Sequence, residues 1–252
     1  MKIQYCSDLH LEFPENKKYI LDNPIIPVGD ILILAGDIVP FALMDLHEDF
    51  FDYVSKNFKI TFWIPGNHEY YYYERTDTFG TVDVKIRDNV FLVNNIVKEI
   101  DDIRIIGTTL WSVIPADKTS LIQNSMSDFK VIKPNKSEFL VEDYNYLHNE
   151  SISFLNKVLR ESTDKSNIVI SHHVPTFLNY PQKYIDSKIN VAFASEQSEM
   201  IKSHKIDHWI FGHHHSNMPD FSIGKTIMHT NQLGYVKYDE NLGYVNAKCI
   251  II

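Results

Sequence analysis

Eight side chains spread along this chain are of the kinds that bind metal ions: Asp8 and His10, then Asp37, then Asn67 and His68, then His172, and finally His213 and His215. Seven of them could surround two adjacent cations, which leaves His68 for acid chemistry. Asp8-Leu9-His10 sets a carboxylate and an imidazole two residues apart, so in an extended chain both point the same way and can chelate one ion. Gly212-His213-His214-His215 repeats the device with two imidazoles, while His214 faces away. In Gly36-Asp37 the glycine permits a sharp turn, and the carboxylate can present one oxygen to each of two cations. Gly66-Asn67-His68-Glu69 places an amide oxygen beside an imidazole. Ser171-His172-His173 supplies two further imidazoles, of which His172 directly follows an apolar run. Singly, each has an ordinary structural use: Asp37 as a helix cap, Asn67 as a turn former, the histidines as a surface cluster. Mixed imidazole and oxygen donors suit manganese, iron or zinc better than calcium or magnesium.

Such residues need rigid supports, and the chain offers them as short apolar runs that end where the polar residues begin. Lys2–Ser7 reads as a first strand. Ile31–Ala35 is stopped by Gly36, Ile60–Ile64 by Pro65-Gly66, Asn167–Ser171 precedes His172, and Asp207–Phe211 precedes Gly212. All five deliver their polar residues at the C-terminal end, where open α/β sheets bind ligands. Between them, helical periodicity appears over Leu43–Phe58 and Tyr144–Arg160. Asp101-Asp102 predicts a hairpin within Asn95–Gly107. Phe221–Ile252 reads as short strands broken by Gly224, Gly234 and Gly243. The stretch between His68 and His172, with its largely polar Asp117–Glu142 region, holds no candidate ligand and reads as an elaboration of one domain spanning residues 1–252.

Composition narrows the function classes. With 44% hydrophobic and 23% charged residues the chain is ordinary globular material. No run approaches the roughly 20 apolar residues of a membrane span, and Asp8 arrives too early for a secretory leader, so a soluble cytoplasmic protein is expected. Cys6 and Cys249 are too few and too distant for a disulfide framework, and both read as buried small hydrophobes. A net charge of -9 argues against duplex DNA as a partner. It permits a small phosphorylated or nucleotide-like substrate, because bound dications reverse the local charge. The only arginines are Arg75, Arg87, Arg104 and Arg160, so a phosphate clamp must lean on metals, histidines, amides and lysines.

In their order, Asp-x-His, Gly-Asp, Gly-Asn-His-Glu, His and Gly-His-x-His, the five motifs resemble those of the calcineurin-like metallophosphoesterase family, over residues 8 to 215. The resemblance implies a four-layer α/β/β/α sandwich of two mixed β-sheets flanked by helices. It further implies that Asp8, His10 and His215 bind one metal, that Asn67, His172 and His213 bind a second, and that Asp37 bridges them. The two ions would lower the pKa of a water that attacks phosphorus in line with the leaving oxygen, and His68 would be the general acid. Some relatives carry Gly-Asp-x-x-Asp-Arg to orient that histidine; here the segment reads Gly36-Asp37-Ile38-Val39-Pro40-Phe41. Protein phosphatase activity is therefore not expected, and Glu69 or a backbone carbonyl is left to orient His68. An idle scaffold should have lost ligands or acid, and this chain has lost neither. A nuclease would want a basic groove, which the charge disfavours, although short single strands remain open to it. One or two of Tyr70–Tyr73, with Trp111, Tyr180 and Tyr184, could line a pocket mouth; packing is the simpler role for them. Asn231-Gln232-Leu233-Gly234-Tyr235 resembles a segment of some phosphodiesterase branches, with Gln232 in place of proline.

Overall fold

The computed structural model describes residues 1–74 and 78–252. Its first half contains β1 (Lys2–Cys6), α1 (Pro14–Asp22), β2 (Ile31–Ala35), α2 (Glu48–Asn57), β3 (Ile60–Ile64), β4 (Val82–Arg87), β5 (Val90–Asn94), β6 (Ile96–Ile100) and β7 (Ile103–Thr108). There follow α3 (Thr119–Ser125), α4 (Asp128–Val131), α5 (Val141–Val158), β8 (Ser166–Ser171), α6 (Ser198–Ser203), β9 (His208–Phe211), β10 (Phe221–Ile223), β11 (Thr226–Thr230) and β12 (Cys249–Ile251).

The strands form two six-stranded sheets, ordered β12-β1-β2-β3-β5-β4 and β10-β11-β9-β8-β7-β6. Each is mixed: β1, β2, β3 and β5 run parallel, as do β7, β8, β9 and β11, with antiparallel strands at the edges. The apolar runs are apolar throughout because both faces of each sheet are covered. Along β2, Ile31, Ile33 and Ala35 join Ile3, Tyr5, Phe62, Ile105, Ile168 and Ile210 in a core between the sheets. Leu32 and Leu34 point the other way, into a core with Ile20, Phe51 and Val54 from the helices. In the second sheet Val169, Trp209 and Phe211 face outward onto Leu155, Val158 and Ile201. Each such side chain contributes about 1.5–3 kcal/mol by leaving water. The result is the four-layer α/β/β/α sandwich.

Local readings fared unevenly. The hairpin forms as β6 and β7, in register from Ile96↔Gly107 to Ile100↔Ile103. The second periodic stretch is α5, which starts three residues earlier than expected because the Asp143 carboxylate accepts the Leu140 N–H at 2.9 Å and caps the helix. Leu43–Phe58 is not one helix: Phe41–His47 winds as a 3-10 turn, His47 at φ -132° breaks the run, and α2 begins at Glu48. Leu46, counted in the apolar period, is solvent-exposed. Of the three glycines near the C-terminus only Gly224 separates strands. From Asn231 to Lys248 the chain is a loop whose N–H groups go elsewhere: Gln232 to the Asn217 side chain, Val236 to Asn16 Oδ1, Gly234 to the Asp8 carbonyl. Cys6 is buried, whereas Cys249 on edge strand β12 is only partly so, and both are free thiols. No helix among the described residues is long and apolar enough to cross a membrane.

Candidate metal centre

Parallel pairing sends β1, β2, β3, β8 and β9 in the same sense within their sheets, so their C-terminal ends meet at one edge of the sandwich. There the oxygens and nitrogens of Asp8, His10, Asp37 and His215 converge, all within 4.8 Å of one another, and those of Asp37, His172 and His213 do the same. Asn67 and His68 follow β3 into the same place. The two sheets are tied across the site, since His172 Nδ1 donates to the Ala35 carbonyl at 3.0 Å.

Two glycines make this closeness possible. A Cβ on Gly36, whose φ is +90°, would lie within 3 Å of the Nδ1, Cγ and Cβ atoms of His172, and one on Gly66 would collide with Asp37 Oδ1 and His172 Nε2. The ligand loops themselves are not the extended segments expected from their spacing. Asp8, His10, Asp37, His213 and His215 all have φ between 46° and 79°, the left-handed region that L-residues visit at a cost of about 1–2 kcal/mol each. Loop pairing sustains the strain: the N–H groups of Asp8, His10 and Leu11 donate to the carbonyls of Gly36, Asp37 and Ile38. Asp8 and His10 still share one side, through coiling rather than pleating.

Apart from the His213 ring, each donor is held by a second residue. The His68 N–H donates to Asp37 Oδ1 at 2.9 Å, leaving Oδ2 facing His172 Nε2 at 3.3 Å and His10 Nε2 at 3.7 Å. The His213 N–H donates to Asp8 Oδ1 at 3.0 Å. Glu12 accepts from His10 Nδ1 at 3.1 Å and Glu240 from His215 Nδ1 at 2.6 Å. With Nδ1 of each committed to an acceptor, His10, His172 and His215 turn Nε2 inward, where a cation can take the place of a proton. This makes a metal the natural occupant: His10 Nε2 meets His215 Nε2 at 3.0 Å, and His172 Nε2 meets His213 Nδ1 at 3.0 Å, pairs that repel unless a cation or proton lies between. A further sign is Asn67. Its Nδ2 donates to Asp128 Oδ1 at 3.0 Å, and its buried Oδ1 has no partner. The residues fit divalent ions.

Burial opposes charge on His172 and His215, but Asp37 beside the first and Asp8 with Glu240 beside the second raise them to about 9 and about 10. Protons and cations thus compete for the same nitrogens. Metal loading is expected to release protons and to tighten as pH rises toward about 9, while activity falls as pH drops through the histidine range. Calorimetric titration with manganese or zinc, in two buffers of different ionisation heat, measures this. Affinity independent of pH with no proton release would rule out histidine ligation.

His68 lies against these donors with its ring stacked on Tyr71, centroids 4.1 Å apart. Glu69 does not orient it. That buried carboxylate instead accepts the N–H groups of Asp37, Ile38 and Gly66 and Trp63 Nε1, at 2.7–3.0 Å. Burial and then Asp37 push Glu69 up to about 8, yet four donors and no acceptor leave no room for a proton on either oxygen. The ionised form is the one the geometry accommodates. The partner of His68 is Glu12, whose Oε1 lies 2.9 Å from Nδ1, and the Tyr235 hydroxyl is 3.3 Å from Nε2. Burial would raise Glu12, but His10 and His68 outweigh it and hold the carboxyl at about 2. Its stabilisation is therefore complete above the ordinary carboxylate range and is lost as pH falls toward about 2. Burial disfavours the His68 cation, while Asp37 and Glu12 favour it more, so its pKa is raised.

Glu12, Asp128 and Glu240, bonded to His68, Asn67 and His215, are the residues of the candidate site that motif reading missed. Glu12 had a signal, following His10 at the same two-residue step that separates His10 from Asp8. Asp128 sits on α4, within the polar stretch that had offered no ligand. Of the four tyrosines, Tyr71 and Tyr72 line the adjoining cavity, with Tyr180 and Tyr184, whereas Tyr70 and Trp111 are core residues. His214 turns away from the donors and pairs with Gln232. His173 bonds the Tyr144 hydroxyl at 2.9 Å.

Known proteins resemble this chain in sequence and in fold. The chain is 33% identical over 261 residues to uncharacterized protein L509 of Acanthamoeba polyphaga mimivirus, covering 92% of this chain and 91% of that one. Its fold is similar to that of the phosphopantetheinyl hydrolase PptH from Mycobacterium tuberculosis, with a TM-score of 0.72 at 14% identity over 99% of this chain and 95% of that one. A dimetal phosphatase from Danio rerio matches with a TM-score of 0.48 at 12% identity, over 92% and 87%. The family model for calcineurin-like phosphoesterases matches residues 1–217. With that match spanning the whole of the converging donor set, the chain belongs to the calcineurin-like phosphoesterase family.

Proposed function

We propose that this protein hydrolyses phosphate esters at a pair of divalent cations. The observation that carries the reading is the meeting of the buried Asp and His donors with one oriented, otherwise idle amide oxygen, Asn67 Oδ1. Asp8, His10 and His215 would hold one ion, Asn67, His172 and His213 the other, and Asp37 would serve both. Two such ions, when bound, polarise phosphoryl oxygens and acidify water enough for attack at neutral pH. Only two of the seven ligands would be carboxylates, so the donor set itself leaves the ions with excess positive charge to draw phosphoryl oxygens in. His68, with Nδ1 tied to Glu12, directs Nε2 at the cavity and donates its proton to the leaving oxygen. A small ester rather than duplex nucleic acid is the expected substrate, given the net charge of -9.

The direct test is turnover of nitrophenyl phosphate and bis(nitrophenyl) phosphate by manganese-, iron- or zinc-loaded protein, against protein stripped with a chelator. A phosphopantetheinyl ester belongs in the panel, after the activity in the name of the Mycobacterium tuberculosis neighbour. Turnover of none of these by loaded protein would end the proposal. The role of Glu12 is separable. Glu12→Gln is expected to slow phenyl phosphate, a poor leaving group that needs the proton, by about 10–100-fold, and the nitrophenyl ester far less. Equal losses on both esters would show that Glu12 matters through His10 instead.

A further inference from the structure

We infer that the substrate carries its only anionic group, the phosphoryl, at the metal centre and presents an uncharged, largely apolar body to the rest of the site; this rests on the phosphoesterase reading above. A cavity of about 620 Å³ opens beside Asp37, Asn67, His213 and His215. Its walls are mainly the rings of Phe13, Tyr71, Tyr180, Tyr184, Phe193 and Tyr235, with Leu43, Val131 and Ile189 between them; the neutral polar side chains of Ser125, Ser127, Ser187 and Asn190 also line it. None of the described residues lining it is a lysine or an arginine. Lys183, beside Tyr184 in sequence, lays its ammonium 4.5 Å from the centre of that ring and does not line the cavity.

Apart from the histidines of the centre, what charge the walls carry is negative. Glu12, Asp128 and Glu240 all line the cavity, and each is already bonded to a residue of the centre: Glu12 to His68, Asp128 to Asn67, Glu240 to His215. They cannot turn aside to admit an anion without releasing the donor they hold. A second or third phosphate on the substrate would leave the metal centre to face aromatic rings, these carboxylates and a few neutral hydroxyl and amide groups, with no lysine or arginine in the wall to replace its hydration. A flat or aliphatic neutral body gains instead from leaving water against the rings. The centre supplies the attraction for one phosphoryl group, and the cavity selects against any more.

Two substrate series on the metal-loaded protein test this. In adenosine mono-, di- and triphosphate the nucleoside is constant while the charge on the body grows, and kcat/KM is expected to fall at least about tenfold at each step even though the anhydrides are the more reactive bonds. In phenyl phosphates with lengthening alkyl tails charge is constant, and kcat/KM is expected to rise about three- to fourfold per methylene while the tail fits, the equivalent of about 0.8 kcal/mol. Val131→Lys and Leu43→Lys, on separate elements, each put an ammonium into the wall. Either is expected to raise turnover of the diphosphate relative to the monophosphate about tenfold. Calorimetry with benzylphosphonate, which cannot be hydrolysed, should show binding weakened by Tyr184→Ala. A diphosphate or triphosphate used better than the neutral-bodied esters, or indifference to tail length, overturns the inference and leaves phosphoesterase activity standing. Failure of the loaded protein on every ester in both series overturns both.

Discussion

Asp37→Asn is expected to lower kcat/KM by about a thousandfold or more, about 4 kcal/mol of transition-state stabilisation, and to reduce bound metal by at least one ion per chain. The substitution is chosen for what it preserves. Asn is tolerated at the left-handed φ of 54° that this position adopts, and its amide oxygen can still accept the His68 N–H that Asp37 Oδ1 now accepts at 2.9 Å. Only the negative charge is removed, at the point where Oδ2 faces both His10 and His172. The thermal midpoint of the metal-free variant should fall only by what the pairing of the Asp37 charge with His10 and His172 contributes. Metal content by mass spectrometry and turnover of nitrophenyl phosphate decide the matter: a variant that keeps two ions and loses less than tenfold in kcat/KM would remove Asp37 from the centre.

The side chains that converge at this sheet edge were legible in the sequence because each follows a strand buried on both faces. Along β2, for instance, five apolar residues give way at once to Gly36 and Asp37, and that change of polarity marks a sheet edge whatever the fold. The residues that hold the donors carried no comparable mark. Glu12 reaches His68 across 56 positions and Asp128 reaches Asn67 across 61, so their roles exist only once the strands and α4 are packed. Sequence adjacency misled where it was trusted. Glu69 follows His68 directly, but the 3-10 turn His68–Tyr70 sends successive side chains in different directions, His68 toward the cavity and Glu69 into the protein. Spacing could also be right for another reason, as with Asp8 and His10, which share a side because their loop is coiled at positive φ and not because it is a strand.

Glu69→Gln is expected to destabilise the protein by about 3 kcal/mol or more and to lose metal as a consequence, although the two side chains have nearly the same shape. Both Glu69 oxygens accept two N–H donors each: Ile38 and Trp63 on one, Asp37 and Gly66 on the other. An amide puts an NH2 group where one oxygen was, facing two donors with nothing to accept. Each unmade bond in a fully buried site costs about 1–3 kcal/mol, more where the lost acceptor was charged. Three of those donors belong to the backbone on either side of the Asp37 and Asn67 loops. Their release would loosen the left-handed turn at Asp37 and the close passage at Gly66, on which His172 depends. Urea unfolding of the metal-free proteins measures the stability change, and metal content follows from it. The contrast with Glu12 is sharp: Glu12→Gln should change leaving-group dependence more than stability, and Glu69→Gln the reverse. If Glu69→Gln instead left the unfolding midpoint within about 0.5 kcal/mol of the parent while altering leaving-group dependence, Glu69 would be the residue that orients the acid. The four N–H donors around its carboxylate would then be free to find other partners.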